Sequence, residues 1–111
     1  MAIANSLEEL FQHIIPNHKD RYISKFEGVD AKVFFEVVNE DGWLIILQNS
    51  NLTIEKISNT NGENCRIIGK RMIFEEIIQG KRKILSSLMF GKIKFQGDLI
   101  LAKKIASIFQ E

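Results

Sequence analysis

Between Gly91 and Gly97 the residues Lys92, Ile93, Lys94, Phe95 and Gln96 alternate polar and apolar without a break. Successive side chains of an extended chain point to opposite faces, so this run predicts a half-buried strand. The period then changes. Leu101, Ala102, Ile105, Ala106, Ile108 and Phe109 recur at three- and four-residue spacing, with Lys103, Lys104 and Ser107 opposite, which predicts an amphipathic helix. Asp98 stands just ahead of it, where a carboxylate accepts from the free N–H groups of a first turn and suits the positive end of the helix dipole.

The same two periods divide the rest of the chain. Ser6 and Glu9 have capping-box spacing ahead of Leu10, Phe11, Ile14 and Ile15, and Pro16 is expected to end that helix. A short second helix from Asn17 would bury Tyr22, Ile23 and Phe26, with Gly28 closing it. Lys32–Asn39 and Trp43–Gln48 read as strands joined by Glu40-Asp41-Gly42, where Gly42 is expected to take positive φ. Leu52–Ile57 and Asn64–Lys70 read as two more strands. Met72–Gln79 returns to helical spacing before Gly80, and a further short helix would hold Ile84, Leu85, Leu88 and Met89 before Gly91. Helices, four strands, two helices, a strand and a helix make an α+β arrangement around one mostly antiparallel sheet. Glu36 and Gln48 mark its outer face, which turns Val33, Phe35, Val37, Trp43, Ile45 and Leu47 toward the helices.

Length and composition narrow the class. A chain of 111 residues, 45% apolar and 26% charged, is expected to form a single globular domain over 1–111. No run reaches membrane-spanning length, MAIANSLEEL lacks the regions of a signal peptide, and FQE is not a peroxisomal address, so a cytoplasmic location is expected. Cys65 is the only cysteine, which excludes an internal disulfide and a cysteine-rich zinc site. The net charge of +1 hides an asymmetry: residues 1–55 hold four basic and nine acidic side chains, residues 56–111 eleven and five. A basic second half attracts anions, whether nucleic acid, a membrane surface or a phosphate- or carboxylate-bearing ligand.

Catalytic chemistry finds little material. His13 and His18 fall on polar flanks, Cys65 alternates with Ile67 on a strand as a small buried hydrophobe, and Glu75 and Glu76 read as solvated. No phosphate-binding glycine loop is present. The aromatic residues are scattered and are not interleaved with the basic ones, which argues against a stacking platform for nucleic acid and leaves only unspecific binding. No catalytic residue, metal or cofactor is expected.

The stretch IIQGKRKILSSLMFGKIKFQGDLILAKKIASIF resembles the closing signature of the sterol carrier protein type-2 family. VFFEVVNEDGW and NCRIIGK upstream fit the same pattern, and the resemblance covers roughly residues 32–110, most specifically at GKIKFQGD. Lys81-Arg82-Lys83 is more basic than the family pattern. The resemblance implies a five-stranded sheet with helices over one face and an apolar tunnel between them that holds a lipid: a fatty acid, acyl-CoA, sterol or polyisoprenoid. Residues that would otherwise close into a dry core become the expected ligand contacts: Phe35, Val37, Trp43, Ile45, Leu47, Ile67, Ile77, Leu85, Leu88, Met89, Phe95, Leu101 and Ile105. Lys81, Arg82, Lys83, Lys103 and Lys104 would meet the lipid's polar head or an anionic membrane. The alternative is a protein-interaction or accessory module for an enzyme of lipid or quinone metabolism, and a third, weaker reading is a substrate-presenting lobe of an enzyme. Oligomeric state is left open.

Overall fold

The computed structural model describes residues 3–26 and 28–109. Met1, Ala2, Gln110 and Glu111, parts of the terminal stretches read above for targeting signals, lie outside the described residues, as does Glu27.

Helical structure begins where the sequence places it. The Ser6 hydroxyl accepts from the Glu9 N–H at 3.1 Å and opens α1 (Leu7–Glu9). Glu75, expected to face water, instead accepts from the Leu7 N–H at 3.0 Å, so a carboxylate from far along the chain satisfies another first-turn donor. Pro16 does not end the segment. A π-helical turn over Leu10–Ile14, in which the Ile15 N–H reaches the Leu10 carbonyl, precedes α2 (Ile15–Asn17). The wide turn gives the proline ring room, and Pro16 sits in the first turn of α2, where its missing N–H is not needed. Helix α3 (Lys19–Lys25) follows, with Tyr22 and then Phe26 buried.

Five strands form one sheet: β1 (Ala31–Val37), β2 (Gly42–Gln48), β3 (Asn51–Ile57), β4 (Cys65–Gly69) and β5 (Ile93–Gly97). Their order is β3-β2-β1-β4-β5, and β1–β4 is the parallel pair in an otherwise antiparallel ladder. At the β1–β2 turn the positive φ belongs to Asn39, at 64°, and not to Gly42. Gly42 is needed for space. A Cβ there would collide with the Phe35 carbonyl and lie 2.6 Å from the Phe34 ring. The β2–β3 hairpin turns on Asn49 and Ser50, both at positive φ, between the paired Gln48 and Asn51.

Phe35, Val37, Trp43, Ile45 and Leu47 are buried on the sheet's inner face beneath α1, α4 (Arg71–Ile78) and α6 (Leu99–Phe109). Aromatic rings fill the centre. Phe11 stacks on Trp43 with centroids 5.1 Å apart, and Phe35 meets Phe11 and Phe109 at 5.2 Å each. The buried Trp43 indole N–H has no acceptor among the described residues, a cost of about 1–3 kcal/mol that this ring packing must offset. On the outer face Phe34 is also fully buried, roofed by the Arg66 guanidinium 4.8 Å from its ring centre. Glu63 at 2.8 Å, Glu36 and the Thr60 carbonyl at 2.9 Å hold Arg66 there.

Arg71 ties the helices to the β1–β2 hairpin. Its guanidinium donates to both carboxylate oxygens of Glu8 at 2.8 Å, to Glu40 at 2.8 Å and to Glu75 at 3.1 Å. Hydrogen bonding to Arg71 holds the Glu8 and Glu40 carboxyls below their ordinary range, and the same bonds raise Arg71.

Candidate functional site

At Gly97 the backbone takes φ 107° and presses against the Asn64 carbonyl so closely that no side chain fits, and the chain turns there from β5 into α6. Asp98 caps α6 as expected, accepting from the Ile100 and Leu101 N–H groups at 2.9 and 3.1 Å. Leu101, Ile105, Ile108 and Phe109 then face the core, while Ala102 and Ala106 lie on the flank toward β5. These two alanines are short where the neighbouring apolar residues are long, and they leave space. Helix α5 (Ile84–Met89) packs beside β5 and forms the opposite wall.

The result is a groove of about 440 Å³ lined by Ile67, Ile84, Leu85, Leu88, Ile93, Phe95, Leu99, Ala102, Lys103 and Ala106. Its volume falls in the range of about 300–1,000 Å³ usual for ligand sites. Ser87, the buried polar residue of α5, donates its hydroxyl to the Lys83 carbonyl at 2.9 Å and is not part of this lining. Nine of the ten lining residues are apolar. The tenth, Lys103, is exposed at the mouth and has no ion-pair partner among the described residues.

Four residues expected as ligand contacts lie on these walls: Ile67, Leu85, Leu88 and Phe95. Phe35, Val37, Trp43, Ile45, Leu47, Ile77, Leu101 and Ile105 belong instead to the packed core, where the rings of Phe11, Phe74 and Phe109 occupy the space expected to be a tunnel. Met89 lies outside the groove, 76% exposed. Five lining residues were not among the expected contacts, Ile84, Ile93, Leu99, Ala102 and Ala106, while Lys103 was expected only at the lipid's polar head or a membrane. The i, i+4 pairs Leu99–Lys103 and Ala102–Ala106 carried the signal, a second stripe on α6 beside the core stripe.

Of the basic residues singled out, Arg82 is paired with Glu76 at 3.0 Å. Lys81, Lys83 and Lys103 are exposed and Lys104 half-buried, none of them ion-paired among the described residues. His13 and His18 are exposed. The Cys65 thiol is pushed up to about 12, chiefly by burial and further by the charge of Asp98, so it stays protonated. No group of three His, Cys, Asp or Glu among the described residues could hold a metal ion, and no helix there is long and apolar enough to cross a membrane.

The model of the SCP-2 sterol transfer family matches residues 7–110, and the chain belongs to that family. No curated protein matches it. Among solved structures it is similar to sterol carrier protein domain 2 of Helicoverpa armigera, with TM-score 0.70 and 19% identity over 92% of this chain and 81% of that one. It is also similar to a UbiJ-SCP2 ubiquinone synthesis protein, with TM-score 0.62 and 13% identity over 95% and 84% of the two chains. A sec-alkylsulfatase from Pseudomonas sp. matches with TM-score 0.62 and 19% identity over 78% of this chain, which spans only 13% of that enzyme. The α+β fold with a five-stranded sheet expected from the sequence is thus the fold of the family.

Proposed function

We propose that this chain is a non-enzymatic lipid-binding unit that holds a long-chain amphiphile with an anionic head in the groove between α5, β5 and α6. The carrying observation is the wall itself: nine apolar residues and one cation, Lys103, at the mouth with no ion-pair partner among the described residues. An apolar chain would gain about 0.8 kcal/mol for each methylene it buries there. Lys103 would set the head group at the rim, where its ammonium meets a carboxylate or phosphate. A fatty acid or a polyisoprenoid with an acidic head fits this pattern better than a neutral sterol. Membership of a sterol transfer family supports lipid binding and transfer in general. The lining set replaces the ligand contacts expected from sequence, retaining Ile67, Leu85, Leu88 and Phe95.

Displacement of a fluorescent fatty acid tests this reading. Filling the groove through A106W should abolish binding while leaving the thermal transition in place. K103M should weaken a fatty acid but not the alcohol of equal length. If no lipid of any class binds the delipidated protein, the reading fails, and an accessory role beside an enzyme of lipid or quinone metabolism takes its place.

A further inference from the structure

Eight large apolar side chains are exposed among the described residues, and six of them, Leu85, Leu88, Met89, Phe90, Leu99 and Ile100, belong to α5, its exit and the first turn of α6. Leu85, Leu88 and Leu99 also line the groove, and the other three adjoin them along the chain. Met89, Phe90 and Ile100 are not part of its lining, yet they stand 76%, 79% and 72% exposed. Apolar surface gathered in one place marks a face that meets an apolar phase or a partner.

Charge decides between occupants. Residues 80–109 carry seven basic side chains and one acidic one, Asp98, whose carboxylate is engaged in capping α6. Arg82 is paired with Glu76, whereas Lys81, Lys83, Lys92, Lys94 and Lys103 are exposed and have no ion-pair partner among the described residues. A second copy would set these lysines against their own kind. An anionic bilayer neutralises those beside the groove mouth, Lys94 lying on the opposite face of β5, and at the same time takes up apolar side chains placed at a helix end and a turn.

We infer that the exit of α5 and the first turn of α6 form a docking face for an anionic bilayer. Phe90 and Ile100 enter the acyl boundary, Lys83, Lys92 and Lys103 lie at the phosphate level, and the groove mouth opens onto the membrane. A lipid then passes between bilayer and groove without crossing water. The docking stands whether or not the groove is filled; only this route rests on the function proposed above.

The test floats the full-length protein with phosphatidylcholine vesicles prepared with and without phosphatidylglycerol. Binding should require the anionic lipid and weaken as salt rises. Each lysine at such a surface is worth about fivefold in partition, so the K83E/K92E variant should bind at least about 25-fold more weakly. F90S/I100S should lose vesicle binding but keep its affinity for a fluorescent fatty acid in buffer, which separates failure of docking from failure of the groove. Brominated lipid should quench the indole introduced by F90W and spare the one introduced by M72W, on the exposed start of α4. Absence of binding, salt-insensitive binding, equal quenching at both positions, or a dimer in solution that shields Phe90 would each overturn the inference.

Discussion

Replacing Arg71 with Met keeps the length of the side chain and removes the charge that holds three carboxylates together. Glu8 and Glu40 are 37% and 39% exposed, so solvent screening limits each to the surface value of about 0.2–1 kcal/mol. Glu75, at 21%, is better shielded and also accepts from the Leu7 N–H, and its charge-assisted bond is placed at about 1 kcal/mol. The variant should therefore lose about 2 kcal/mol, or roughly 8–16 °C in Tm for a domain of this size. The pH dependence carries a sign. Bonds from Arg71 depress the folded-state carboxyls of Glu8 and Glu40, so their contribution is complete above the unfolded value of about 4.3 and disappears as pH falls through the folded values. Urea unfolding of both proteins should show the full gap at neutral pH and a shrinking one below about pH 4. A gap under about 0.5 kcal/mol at neutral pH, or one that stays constant into strong acid, would refute the assignment of Arg71 as the tie between helices and hairpin.

F109A should cost about 3–5 kcal/mol and release α6, because this ring packs on Phe35 and Phe74 in the aromatic centre; calorimetry checks it. G42A should cost about 3 kcal/mol, as the added methyl collides with Phe34 and the Phe35 carbonyl, and a denaturation midpoint close to wild type would contradict that contact. Cys65, with its thiol held protonated at up to about 12, should resist alkylation in the folded protein at mildly alkaline pH and react once the chain is unfolded.

The fold was legible wherever one period governed a whole element. Alternation in Ile93–Gly97, the 3.6-residue stripe of Leu99–Phe109 and the Asp98 cap needed nothing beyond local chemistry. Pro16 misled because a π turn, invisible to pattern reading, let the helical segment continue to Asn17. Gly42 was read as a turn glycine, but the demand on it comes from the neighbouring Phe34, a tertiary contact. The same limit explains the site. Periodicity separates wet faces from buried ones, and it assigned Phe35, Trp43 and Ile105 to the interior. It does not tell a packed interior from an open one. That distinction depends on how rings from the π turn, α4 and α6 meet over β1 and β2, and on two alanines that leave space beside β5. Lys103 was placed on the wet face of α6, and it is exposed, but its position at the rim of the groove is set by α5 across the gap.

The most direct test of the central claim is a binding series of saturated fatty acids on delipidated protein, lengthened two carbons at a time and followed by calorimetry. Two further buried methylenes contribute about 1.6 kcal/mol, so each step should tighten Kd about fifteenfold until the groove of about 440 Å³ is full, after which affinity should level off. Binding that is indifferent to chain length, or no binding at any length, would contradict the account.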